Sequence, residues 1–367
     1  MADPSEIAEK ERRVREFLQS RSLDGALFSK QSYFSWMTCG QDNHVQLAGE
    51  RGSSTLLITK DAKYVLADRI EAQRMMTEEG LKQQDFELVT YEWHRGNPLA
   101  EARRLCPGPL VSDLGTSGEH PDLAPQLDRL RWSLTPQEVD RYREAGRLAG
   151  QAMQAACLNV EAGQSEHEIA ALLASEITAR GMITQVLLVA ADERIFQYRH
   201  PVPTGKRLEK YAMLVIGARK WGLVVSLTRF VHFGAVPDEL RRKQIAAARV
   251  DAAFITHTKP GAKVGEVLKR GLRAYAETGY PDEWQLHHQG GPTGYEARSY
   301  RAIPGDEHEV QASQAFAWNP SITGAKSEDT IIAFLERPQI ISPTPDLPSL
   351  DVEYEGTALV RPDVLVR

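Results

Sequence analysis

The chain of 367 residues carries a formal charge of -6, with 42% hydrophobic and 26% charged residues, a soluble balance long enough to bury two cores. Its Lys and Arg residues form no basic stripe, which argues against nucleic acid as partner, and no apolar run approaches a membrane span. The opening "MADPSEIAEKERRVREF" is charged where a signal peptide needs an apolar core, and Cys39, Cys106 and Cys157 lack CxxC spacing, so the expectation is a cytoplasmic protein with buried thiols.

Along the chain, Ile7 to Leu18 recurs apolar at helical spacing. "GALFSK" and "STLLITK" read as strands, "AKYVLAD" as a hairpin partner, and "IEAQRMMTEEG" as a helix closed by Gly80. The strand "FELVTYEW", a helix from Ala100 to Cys106 and the buried-looking "GPLVSDL" complete an α/β domain with a mixed sheet. "LRWSLTPQEVDRYREAGRLAGQAMQAA" then opens a long helix, with Thr135 as N-cap, Pro136 at its first position and Glu138 closing a capping box, so a boundary is placed near residue 132. Beyond it come the capped helix "SEHEIAALLASEITARG", paired strands, helices from Pro237 to His257 and from Val264 to Gly279, and a final set of strands. The proline-rich stretch after Arg337 reads as an extended edge strand wrapping back over the domain.

Tyr211 to Phe230, His287 to Arg298 and Trp318 to Thr330, together with "LTPQEVDRYREAGRLA", occur in an order that resembles the pita-bread, M24-like metallopeptidases, in the branch of creatinase and Xaa-Pro dipeptidase. The resemblance implies an α/β (α+β) protein: an N-terminal creatinase-like domain over 1–132, a pita-bread domain over 133–367, and a homodimer whose active site is completed in trans. In those peptidases two aspartates, a histidine and two glutamates hold two cations. Here the aspartate positions fall on Val215 and Ser226, the ligand histidine on His288, a second histidine on Tyr295, and the glutamates on Asn319 and Glu328. Two adjacent dications need several anionic oxygens, so the expectation is no metal and no cofactor.

His200 matches the family histidine that contacts substrate or, in metal-free creatinase, moves protons, a role suited to imidazole. His287 reads as a neighbour facing the other side of the strand. The catalytic glutamates of creatinase would fall on Thr228 and Asn319, so creatine hydrolysis is not implied. Arg199, Arg229, Arg298, Arg301 and Lys326 surround the former metal positions, and Arg pairs naturally with a carboxylate. The polar loop with Asp42, Asn43, His44 and Arg51 occupies the segment that creatinase extends to its partner, and Asp192, Glu193 and Arg194 precede His200 near the family's substrate channel. The reading is a metal-independent acid–base hydrolase cleaving a C–N bond in a small anionic, nitrogen-containing molecule. His200, His288 and Glu328 are its catalytic set, with Arg199, Arg229, Tyr295, Arg298, Asn319, Asp42 and His44 binding substrate. The alternatives are a non-catalytic pita-bread binding protein and a mononuclear metallopeptidase using His200, His288 and Glu328.

Overall fold

Helix α1 (Pro4–Ser20) begins where Asp3 takes the Ser5 N–H and proline fills the first turn. The computed structural model describes residues 3–115 and 120–367, in two units, 1–138 and 139–367. In the first, α1 is followed by β1 (Gly25–Lys30), α2 (Gln31–Met37), β2 (Arg51–Thr59), β3 (Lys63–Asp68), α3 (Ala72–Thr77), β4 (Glu87–Tyr91), α4 (Pro98–Leu105), β5 (Leu110–Ser112) and α5 (Ala124–Arg129). The sheet runs β4-β3-β2-β1-β5 and is mixed, as expected: β1, β2 and β3 pair antiparallel, while β4 and β5 join parallel at the edges. Leu27, Leu57, Leu66, Ala102, Cys106 and Leu110 form one of its apolar clusters.

Helix α2 is absent from the sequence reading for a physical reason. All seven of its residues, including Tyr33, Phe34 and Trp36, are buried. It therefore has no polar face to set a helical period, and its aromatic residues favour strands locally. The capping box is present: Thr135 N–H donates to Glu138 at 2.7 Å and Glu138 N–H to the Thr135 hydroxyl at 3.2 Å. Glu138 also meets Lys10 at 2.9 Å, and Lys10 meets Glu6 at 2.7 Å, all three buried.

Helix α6 (Pro136–Asn159) leads into the second unit, where α7 (Glu166–Ala179), β6 (Ile183–Ala191), α8 (Glu193–Gln197), β7 (Tyr211–Lys220), β8 (Leu223–His232), α9 (Asp238–His257) and α10 (Val264–Glu277) follow. Then come β9 (Gly290–Thr293), β10 (Ala315–Trp318), β11 (Ser321–Ile322), β12 (Ala325–Lys326), β13 (Asp329–Ile332), β14 (Gln339–Ile340), β15 (Ser349–Tyr354), β16 (Thr357–Pro362) and β17 (Leu365–Val366). Two sheets, β17-β8-β7-β6 and β14-β13-β10-β9, frame the unit. The tail ends in the expected edge strand, β17 parallel to β8, but first makes a β15–β16 hairpin turning on Glu355 and Gly356, both at positive φ. Phe254 of α9 stacks on Trp318 of β10 at 4.6 Å, fixing a helix to the back of the sheet that carries the later motifs. Helices backing two sheets in this chain order give the pita-bread arrangement anticipated from the motifs.

Candidate functional site

The register of β7 on β8 fixes which side chains share a surface. Val215 lies opposite Thr228 and Gly217 opposite Ser226, so Val215, Ser226 and Thr228 face the same way. On that face the Thr228 hydroxyl donates to Glu328 Oε2 at 2.7 Å. Lys326 Nζ meets the same oxygen at 2.7 Å, and Arg298 Nη2 meets Oε1 at 3.0 Å. Glu328 and Lys326 are buried. Burial works against ionising Glu328, but the Lys326 and Arg298 charges outweigh it and hold the carboxyl down to about 2. The pocket therefore contains a permanent carboxylate whose oxygens are already engaged.

Three imidazoles meet beside it. His200 comes from the loop between α8 and β7, while His287 and His288 come from the segment between the 3-10 turn Glu283–Leu286 and β9. His200 Nε2 lies 3.0 Å from His287 Nε2, and the His287 and His288 rings stack at 4.5 Å. Burial, then the Lys326 charge, push His287 down to about 2. Burial, then Arg298 and Arg301, push His288 down to about 4. His200 is exposed at its outer edge, yet desolvation of its inner side and the Lys326 ammonium lower its pKa as well. All three shifts favour the neutral ring, which offers one N–H and one lone pair.

The expectation for His287 is corrected here. It does not face away: it makes the close contact with His200, because His287 and His288 precede the strand, which starts at Gly290, and so escape its alternation. Gln289 holds this turn, donating to the His287 carbonyl at 2.5 Å and to the Trp284 carbonyl at 3.0 Å. Gly290, at φ +96, has its Cβ position 2.1 Å from the Ala317 carbonyl, so the packing of β9 on β10, rather than approach to a ligand, requires glycine there.

Other expected site residues fall differently. Arg229 points to the opposite face of β8 from Ser226 and Thr228 and is buried against Asp329 at 2.8 Å, with Thr344 and the Ser342 carbonyl as further partners. It is a structural ion in an alternating chain with Asp329, Arg361 and Asp251, and does not line the pocket. Arg199 is committed to Glu283 at 2.6 Å and Thr323 Oγ1 at 2.9 Å, a brace for the loop bearing His200. Asp192, at φ +54, accepts the backbone N–H groups of Glu209, Lys210 and Tyr211, and Arg194 pairs with Glu166, so both are spent on the turn. Tyr295 is buried after Gly294, and Asn319 is buried with its Oδ1 lacking a partner among the described residues. In the first unit, His44 pairs with Asp42 at 2.6 Å, Asp42 N–H donates to Glu79, and Asn43 is buried on Ser54. Arg298 does stand at the site, and Arg301 is exposed nearby with no ion-pair partner among the described residues. Lys326 is the member whose weight the sequence understated. Its signal is the two-residue spacing to Glu328, which sets both on one face of an extended segment.

Residues 140–342 match the family model described as metallopeptidase family M24, more than half of the chain. The chain belongs to that family. The fold is shared with a Xaa-Pro dipeptidase from Bacillus anthracis, at a TM-score of 0.77 and 18% identity, covering 98% of this chain and 100% of that one. Dipeptidase PepE from Mycobacterium ulcerans gives 0.76 and 16%, covering 94% and 97%. The N-terminal domain of the FACT complex subunit SPT16 from Cicer arietinum gives 0.68 and 12%, covering 93% and 97%. No curated protein matches the chain by sequence. Among the described residues no helix is long and apolar enough to cross a membrane.

Proposed function

We propose that this M24 family member is a hydrolase-type enzyme that cleaves a C–N bond in a small anionic, nitrogen-containing molecule by acid–base chemistry without the family's dinuclear metal centre. The observation that carries the reading is the Lys326–Glu328–Arg298 cluster, in which an ammonium lies 2.7 Å from the carboxylate that aligns with a glutamate ligand of the family motif. A two-cation centre does not fit the donor set. Val215 offers no ligand atom, Ser226 and Asn319 offer only neutral oxygens, and Glu328 already serves two cationic side chains. With Arg301 close to His288, the pocket holds three cations against one carboxylate, and that excess favours an anionic substrate.

In this reading His200 moves the proton. It reaches solvent on one side, and its Nε2 shares a hydrogen with His287 on the other. Arg301 is the cation left to fix a substrate carboxylate. The unpartnered Asn319 Oδ1 suits a substrate N–H, since a buried acceptor left unsatisfied is costly. The dipeptidase alternative is favoured by the family membership and requires bound cations.

The test is a screen of chelator-treated protein against N-acyl and amidino derivatives of amino acids and Xaa-Pro dipeptides. Turnover without metal is expected, falling about 10²- to 10⁴-fold in His200→Asn with binding retained. Turnover that appears only on adding Mn²⁺ or Co²⁺ supports the dipeptidase instead.

A further inference from the structure

We infer that His200, His287 and His288 form a binding site for a single late transition ion of imidazole preference, with Zn²⁺ as the type case, a set that shares only the His288 position with the family's two-cation centre and uses none of its carboxylate positions. One potential ligand atom from each ring lies within 4.8 Å of the others, and His200 Nε2 and His287 Nε2 are already 3.0 Å apart. Zinc holds nitrogen at about 2.0–2.1 Å, which in a tetrahedron separates neighbouring donors by roughly 3.4 Å. Closing the set requires ring shifts on the order of an ångström. His200, exposed on its loop, is free to make them.

The present arrangement leaves hydrogen-bonding capacity unused. His287 is only 8% exposed, and its Nδ1 has no partner among the described residues. Its Nε2 faces another imidazole nitrogen, so one proton serves both rings. His288 Nδ1 takes only a long 3.2 Å bond from Gly290 N–H. Each neutral imidazole has one lone pair, and here the His200–His287 contact and the Gly290 N–H are weak claims on them, which a metal ion would replace.

The donor chemistry sets selectivity. A nitrogen-only set suits Zn²⁺, Ni²⁺, Co²⁺ or Cu²⁺, and it lacks the oxygens that Mg²⁺, Ca²⁺ and Mn²⁺ prefer. The surrounding Lys326, Arg298 and Arg301 weaken the site for a dication and attract an anion as its fourth ligand, so chloride or a small carboxylate should tighten binding. Occupancy takes the His200 lone pair, and, on the proposed function, it therefore stops proton transfer.

Full-length protein stripped with chelator would be titrated with Co²⁺, read by the visible absorption of four-coordinate cobalt, and dialysed against Zn²⁺ for stoichiometry. The expectation is one ion per chain, with affinity reduced at least about 100-fold in both His287→Ala and the solvent-exposed His200→Ala, beyond the 10–100-fold of an outer-shell change. The His200 variant guards against loss of fold in the buried one. Glu328→Gln should keep the stoichiometry. Two ions per chain, no cobalt absorption, or unchanged affinity in a folded His200→Ala protein would overturn the site. If one ion binds as described while metal-free turnover on the screened substrates is unaffected by it, the site stands and the role of His200 in the proposed function falls.

Discussion

Replacing Lys326 by Met removes the ammonium 2.7 Å from Glu328 and leaves the buried carboxylate with Arg298 at 3.0 Å and the Thr228 hydroxyl at 2.7 Å. In the native protein Glu328 is held at about 2 against an ordinary value of 4.5. A carboxyl whose folded pKa is depressed stabilises the fold above its unfolded pKa and loses that contribution as pH falls toward the folded value. The shift corresponds to about 3 kcal/mol at pH 7, with roughly half remaining at pH 3. Because Arg298 remains, Lys326→Met should cost about 2–3 kcal/mol at pH 7, somewhat below the roughly 3–5 kcal/mol for breaking a fully isolated buried pair. The carboxyl's pKa should rise toward or above 4.5, so the gap between variant and parent closes on acidification. Urea titrations of the full chain at pH 7, 5 and 4 measure it, and adding Glu328→Gln to the variant should recover part of the loss by removing the stranded charge. A loss under about 0.5 kcal/mol at pH 7, or a gap that does not change with pH, would refute the claim that Lys326 neutralises this carboxylate.

Arg199→Met should lower stability by roughly 1–3 kcal/mol through loss of the Glu283 and Thr323 brace, while carboxylate-induced thermal shifts persist, because that guanidinium is already committed. Arg301→Gln should do the reverse, leaving the melting temperature unchanged and abolishing the thermal shift given by millimolar small carboxylates. Val215→Asp with Ser226→Asp should not create Xaa-Pro dipeptidase activity in Mn²⁺ or Co²⁺, since Lys326 and Arg298 still occupy Glu328 and Asn319 still lacks a charge; measurable hydrolysis of a Xaa-Pro dipeptide would contradict this. Light scattering is expected to report twice the chain mass of 40.9 kDa, and mixing His200→Asn with an Asp42, His44 double-alanine variant should restore turnover if the loop completes the partner's site.

The sequence alone determined most of the element order, though not α2 or the β15–β16 hairpin, together with the caps of α6 and α7 and the family. These rest on periodicity, capping chemistry and motif spacing, which are local in the chain: Ser165 and Glu168 close a capping box across a single turn. It also named His200, His288, Arg298 and Glu328, which the fold brings together from the loop between α8 and β7, the segment just before β9, the stretch beyond β9 and the residue preceding β13. What it could not decide was where side chains turn when no period governs them. His287 joins His200 because it lies three residues before the strand begins at Gly290. Arg229 leaves the pocket because one step along β8 changes faces, and Asp329, itself one step past Glu328, waits on the other side. Arg199 is drawn to Glu283, distant in sequence, so a cation that reads as free is a strut. The charge on each residue is written in the chain. Whether that charge is spent on the fold or left for a substrate depends on long-range partners that only tertiary packing brings within hydrogen-bonding distance.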